Sequence, residues 1–242
     1  MRFILAKEFH SFLNSLIAYI VIGVFLITTG LLIWVFPETS VLDYGYADLG
    51  VLFSVSPYIF MFLIPAITMR SFAEEKKAGT MELLLTKPLS DLEIILGKFF
   101  ASFLLVFVAL LPTVVYYFTL YQLGSPKGNI DTAGVIGSYV GLFLLAAGFC
   151  AIGILASSLT SNQIVSFLVG SFLCFIMYDG FNNLAEVNTW TDFSFAIKRL
   201  GIVYHYDSLR KGLIDTRDVI YFISVIGCML LLTKTVLSSR RW

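Results

Sequence analysis

Apolar residues gather into six long runs along the chain, at 13–36, 51–69, 99–121, 133–157, 164–181 and 219–237, with polar connections between them. A helix needs about 20 residues to cross a bilayer core. In lipid a helix satisfies its own backbone hydrogen bonds. The pattern therefore predicts an all-α integral membrane protein with six transmembrane helices. A β-barrel would show strands of about ten alternating residues instead. The fifth run is the shortest, so its ends are the least defined. Pro65 in the second run and Pro112 in the third each remove a helical hydrogen bond and mark candidate bends.

Residues 3–16 alternate at helical spacing. Leu5, Phe9, Phe12 and Leu16 line one face, and Lys7, Ser11 and Asn14 line the other. This predicts an N-terminal interfacial helix, about residues 1–12, lying along the membrane before the first span. The alternative is a simple extension of that span, but the polar stripe would be costly in lipid. The segment lacks a small-x-small cleavage site and reads as an uncleaved part of the chain.

One connection stands apart. Residues 70–98, RSFAEEKKAGTMELLLTKPLSDLEIILGK, carry the densest mixed charge in the sequence. Gly79-Thr80 breaks the chain and restarts it, and Thr80 can cap a short helix over 81–86. Pro88 stops that helix. Ser90 and Glu93 then form an S-x-x-E capping box for the helix leading into the third run. Leu83, Leu84 and Leu85 are too apolar for a free solvated loop. They call for a membrane surface, their own bundle or a partner's groove.

Composition agrees with the class. Hydrophobic residues make up 58% of the chain and charged residues 13%, against about 25% charged in a soluble domain. The mean hydropathy is +0.89. The net charge is zero, which argues against a nucleic-acid partner. Lys and Arg set the orientation. The connection 37–50 has neither, and 122–132 has only Lys127. Arg2, Lys7, Arg70, Lys76, Lys77, Lys87, Lys98, Lys234, Arg240 and Arg241 sit at the termini and in 70–98. This balance places both termini and the 70–98 loop in the cytoplasm. The loop 182–218 is then extracytoplasmic despite its own basic residues.

That outer loop is unusually aromatic, with Trp190, Phe193, Phe195, Tyr204 and Tyr206, and reads as one or two short helices at the interface. Asp207 can cap a helix over 208–211 that Gly212 ends. Gly137-x-x-x-Gly141 in the fourth run is a small-residue pattern for close helix packing, more often within a chain than between chains. Gly170-Ser171-Phe172 reads the same way. Cys150, Cys174 and Cys228 all lie in apolar runs and read as small buried residues rather than disulfide partners or metal ligands. The two histidines, His10 and His205, fall on opposite sides of the predicted topology. His205 with Asp207 is too few ligands for a metal site. Asp179, near the outer end of the fifth run, has no evident basic partner and reads as an end-of-helix acid at the interface, where a charge avoids most of the desolvation cost, rather than as a pathway-lining group. No H-E-x-x-H, G-x-S-x-G or phosphate-binding G-x-x-x-x-G-K-[ST] pattern occurs. No catalytic residue or metal site is thus expected, and the pattern does not single out substrate-binding residues.

The segment PAITMRSFAEEKKAGTMELLLTKPLSDLEIILGK resembles the exit of the second span, the coupling helix and the third-span start of ABC-2 type permeases. GILASSLTSNQIVSF, at 153–167, resembles their tight turn between the fourth and fifth spans. KEFHSFLNSLIAYIVIGVFLITTG and YHYDSLRKGLIDTRDVIYF are similar to the permeases of bacterial gliding-motility ABC systems, the GldF type. The resemblance covers essentially the whole chain. It implies a single permease domain over 1–242, with an ABC ATPase subunit docking on Glu74, Glu75, Lys76, Lys77, Gly79, Thr80, Glu82, Leu83, Leu84 and Pro88. It also implies ATP and Mg on that subunit and no cofactor on this chain. A second permease copy or homologue, membrane lipid and an auxiliary gliding-motility membrane protein complete the expected partners. A non-transporting membrane scaffold for gliding or secretion machinery is the competing reading.

Overall fold

The computed structural model describes residues 1–44, 46–81, 90–187 and 191–239. Most of them are helical, with no strand among them. Six helices are long and apolar enough to cross a membrane: Leu16–Trp34, Gly50–Lys77, Asp91–Leu123, Thr132–Leu159, Gln163–Glu186 and Thr216–Ser238. They are called the first to sixth spans below. Each apolar run of the sequence supplies one of them.

The fourth span is the central post. Of its most apolar stretch 83% is buried, against 17% in the sixth span and 28% in the first and fifth. It is also where the small residues lie, and small side chains let neighbouring helices approach closely. A Cβ on Gly170 of the fifth span would sit 3.2 Å from Pro65 Cβ and 3.4 Å from Ala156 Cβ, so three spans meet there. Next to this crossing, Thr68 of the second span presses its hydroxyl against Gly153.

The N-terminal helix Arg2–Leu13 is separate from the first span. The chain breaks at Asn14, and Ser15 caps the new helix through the Ile17 amide at 3.3 Å. Arg70 reaches the same Ser15 hydroxyl at 3.4 Å. The side of the helix turned to the protein is the apolar one of the sequence pattern, with Leu5, Phe9 and Phe12 partly buried and Lys7, Ser11 and Asn14 exposed. It also carries Ile4 and Glu8, while Phe3 is 93% exposed. Glu8 faces inward because its charge has a partner there, described below.

The prolines act as expected at one position and more mildly at another. Pro112 sits in a 3-10 turn, Leu111–Thr113, that interrupts the third span. Pro65 stays inside the second span's helix, as does Pro57. The fifth span runs on past its apolar stretch and contains one π-helical turn, Ile176–Gly180.

Two short helices, Thr191–Lys198 and Ile202–Leu209, follow the fifth span. The second corrects the expected cap at Asp207. The helix begins at Gly201, because Ile202, Tyr206 and Leu209 form a face that is fully buried. Asp207 lies within it and pairs with Arg210 at 2.9 Å. Gly212 does end it, at φ +79°, with its amide on the Leu209 carbonyl and the Leu213 amide on Ser208. Cys150 and Cys174 are buried, but Cys228 is exposed. The sixth span shows most of its surface to the outside, so an apolar run there does not mean a buried one.

Candidate functional site: the charged end of the bundle

At one end of the bundle, the second span turns into a charged helix, Arg70–Lys77. Its first turn lacks the usual intrahelical acceptors, and Ser157 of the fourth span supplies one. The Ser157 hydroxyl accepts from the Phe72 and Ala73 amides at 2.9 and 3.1 Å and donates to the Met69 carbonyl at 3.0 Å. Ser157 is fully buried, as are Phe72 and Ala73. One small side chain thereby fixes the direction in which the charged helix leaves the span. Lys76 adds a second tie, donating to the Ser158 carbonyl.

The helix ends in a glycine motif. The Thr80 amide bonds the Glu75 carbonyl at 3.0 Å and the Gly79 amide bonds Lys76 at 3.3 Å, with Gly79 at φ +66°. Only glycine takes that left-handed conformation without strain. After Met81 the description stops, so Glu82, Leu83, Leu84 and Pro88, and the expected short helix over 81–86, lie outside the described residues. It resumes at Ser90, where the capping box forms. The Ser90 hydroxyl accepts from the Glu93 amide at 3.3 Å, and the Glu93 carboxylate accepts from the Ser90 amide at 3.0 Å.

Lys98, the last residue of the charged segment, holds this end together. Its side chain is 1% exposed, yet it carries a charge. The ammonium donates to Glu8 at 3.1 Å, Glu75 at 2.9 Å and the Ser71 carbonyl at 2.6 Å. It also lies 5.1 Å from the centre of the Phe72 ring. Lys7 approaches the same carboxylates at 3.7 and 3.9 Å from the surface. Two ammoniums thus balance two carboxylates, and three separate elements share one buried charge. A buried charge is tolerated only when paired and hydrogen-bonded in this way. Glu75 is not fully satisfied, because its second oxygen is buried with no hydrogen-bond partner.

The residues expected to dock a partner therefore divide. Glu74, Lys77, Gly79 and Thr80 are exposed. Glu75 and Lys76 turn inward, to Lys98 and to Ser158. Sequence reasoning missed Glu8 and Ser157, and treated Lys98 only as one positive charge among several. The signal for Lys98 was its position. An ammonium at the start of an apolar run needs a buried counter-charge or an exit to water.

Gly137 and Gly141 lie far from this cluster, at the other end of the fourth span. A Cβ on Gly137 would meet the Gly212 carbonyl oxygen at 2.5 Å, and one on Gly141 would meet Leu209 Cβ at 2.5 Å. They seat the turn after the second outer helix. The Tyr206 hydroxyl secures the same helix by donating to the Phe53 carbonyl at 2.7 Å. Burial pushes the Tyr206 phenol well above its ordinary value, so it remains a neutral donor. His205 is fully engaged, with Nδ1 on Asp218 at 2.7 Å and Nε2 on the Arg199 carbonyl at 2.9 Å. A cleft of about 840 Å³ opens nearby, between the first outer connection and the ends of the second to fourth spans.

Residues 36–184 match the model of the ABC-2 family transporter proteins. The match covers more than half of the chain, from the end of the first span to the end of the fifth. A comparison with curated proteins gives no match.

Proposed function

The chain belongs to the ABC-2 transporter family and is a multi-pass membrane permease component working with an ABC ATPase subunit, and from that premise we propose that the ATPase docks on the charged end. The observation that carries the docking site is the buried Lys98 cluster. It joins the N-terminal helix, the base of the 70–90 loop and the start of the third span. A push on the loop would be transmitted to both spans at once.

In this reading the charged end and both termini are cytoplasmic, in the bacterial inner membrane. The exposed Glu74, Lys77 and Thr80 contact the ATPase rim, and Glu82, Leu83, Leu84 and Pro88 form the inserted part. ATP and Mg are held by the other subunit. ATP-driven closure of the ATPases presses the loop, and the second and third spans tilt against a second permease, identical or homologous. The similarity of KEFHSF and YHYDSLRKGLIDTRDVIYF to gliding-motility permeases supports a role in such a machine, with an auxiliary membrane protein of that machinery as a further partner.

The test is enzymatic. Purified alone, the chain should hydrolyse no ATP above background. With the ATPase subunit present, activity should appear and should respond to alanine at both Glu75 and Glu82, with nucleotide affinity unchanged. Glu82, as an interface charge, would act through steering and through the unpaired partner left behind, whereas Glu75 would act through the buried Lys98 that it holds. Hydrolysis by the isolated chain would overturn the subunit assignment.

A further inference from the structure

A proline inside the second span leaves one buried carbonyl open. Pro57 has no N–H, so the Phe53 carbonyl four residues earlier loses its helical donor. Phe53 is buried, and an unmet acceptor there would be costly. Tyr206 of the second outer helix fills the place from 153 positions away. Its hydroxyl donates to this carbonyl at 2.7 Å, and its side chain is fully buried. On the other side, Ser138 of the fourth span donates to the Arg210 carbonyl at the end of the same outer helix, at 2.8 Å. Phe53, Ser138 and Arg210 all line the outer cleft, so a movement of this helix would reshape the cleft wall.

A second donor stands beside the first. Ser56 is fully buried, one position before Pro57, and its hydroxyl has no hydrogen-bond partner. Hydroxyls in helices commonly fold back on the carbonyl three or four residues earlier. Ser54 and Thr68 of the same span do so, onto Val51 at 3.1 Å and Ile64 at 2.9 Å. For Ser56 the carbonyl three residues back is that of Phe53, which Tyr206 occupies. An orphaned buried hydroxyl calls for a reason, and competition for this acceptor supplies one.

We propose that Tyr206 and Ser56 are alternative donors to the Phe53 carbonyl and together form a switch at the outer end of the second span. In the latched state Tyr206 holds the carbonyl and the Ser56 hydroxyl is idle. In the released state the outer helix moves off, Ser56 turns about χ1 to take the carbonyl, and the Tyr206 hydroxyl meets water. One hydroxyl replaces another, so release strands no buried acceptor, which is the larger cost in such a movement. A tilt of the second span can then part it from the outer helix. The proposal stands on the outer end alone and does not rest on where an ATPase docks.

The test uses the full chain in phosphatidylcholine nanodiscs, without an ATPase. Tyr206→Phe keeps the ring and removes one donor, and Ser56→Ala removes the other. If the donors are interchangeable, each single variant should melt within about 2 °C of the wild type, while the double variant, with the carbonyl unmet, should melt about 5 °C lower. Release is read by hydrogen–deuterium exchange of the amides of 202–209, followed by mass spectrometry. Ser56→Ala should slow that exchange about fivefold, because release then leaves the carbonyl unmet. A purely structural serine would leave it unchanged. Tyr206→Phe melting as low as the double variant, a double variant melting with the wild type, or wild-type exchange in Ser56→Ala would each overturn the proposal.

Discussion

Replacing Lys98 by alanine should destabilise the protein by about 3–5 kcal/mol, the usual cost of removing one partner from a buried ion pair. The ammonium is 1% exposed and serves Glu8, Glu75 and the Ser71 carbonyl together. Without it two carboxylates face each other in a closed space, with only Lys7 at the rim. The N-terminal helix should then loosen, since Glu8 is its buried charged anchor to the third span and the Met1–Glu93 pair that remains is solvent-exposed. A thermal melt of the purified protein should fall by roughly 10 °C. The combined variant Lys98→Met, Glu8→Gln and Glu75→Gln should recover most of that loss, because neutral groups of similar volume carry no desolvation penalty. A single Lys98→Ala variant melting with the wild type would show that the cluster does not hold these elements.

Leu84→Asp should abolish co-purification with the ATPase subunit while leaving membrane insertion intact. The motive is the leucine run 83–85 within a loop otherwise rich in charge. A carboxylate buried without a partner in the other subunit's groove costs several kcal/mol, enough to break a typical interface. The two variants separate two failures. Lys98→Ala loosens the base of the loop, whereas Leu84→Asp leaves the base in place and removes the contact. Recovery of the ATPase at wild-type yield with Leu84→Asp would remove this leucine from the interface.

The spans were legible because a bilayer imposes a simple rule on sequence, and six apolar runs became six long helices. The S-x-x-E box at Ser90 and the break at Gly79 were legible for a similar reason, since both motifs close within a few residues. Glu8 and Ser157 were not. Glu8 meets Lys98 across 90 positions and Ser157 meets Phe72 across 85. No local pattern announces such pairs. Asp207 misled because Asp is a frequent helix cap, and the buried face of Ile202, Tyr206 and Leu209 outweighed that local preference. Cys228 misled because in a membrane protein apolar residues face outward as readily as inward.

The central claim is that an ATPase meets this chain at its charged end. Site-specific crosslinking measures it most directly, with Gly79→Cys at that end and Leu213→Cys at the other, both in a background without the native cysteines. Gly79 has open space around it and Leu213 is 65% exposed, so neither new side chain meets a neighbour, and the strain that cysteine adds at φ +66° is confined to the exposed turn at Gly79. In membranes containing the native complex, the Gly79→Cys adduct should contain an ATP-hydrolysing subunit, and the Leu213→Cys adduct should not. Capture of that subunit from Leu213→Cys, or its absence from the Gly79→Cys adduct, would contradict the account.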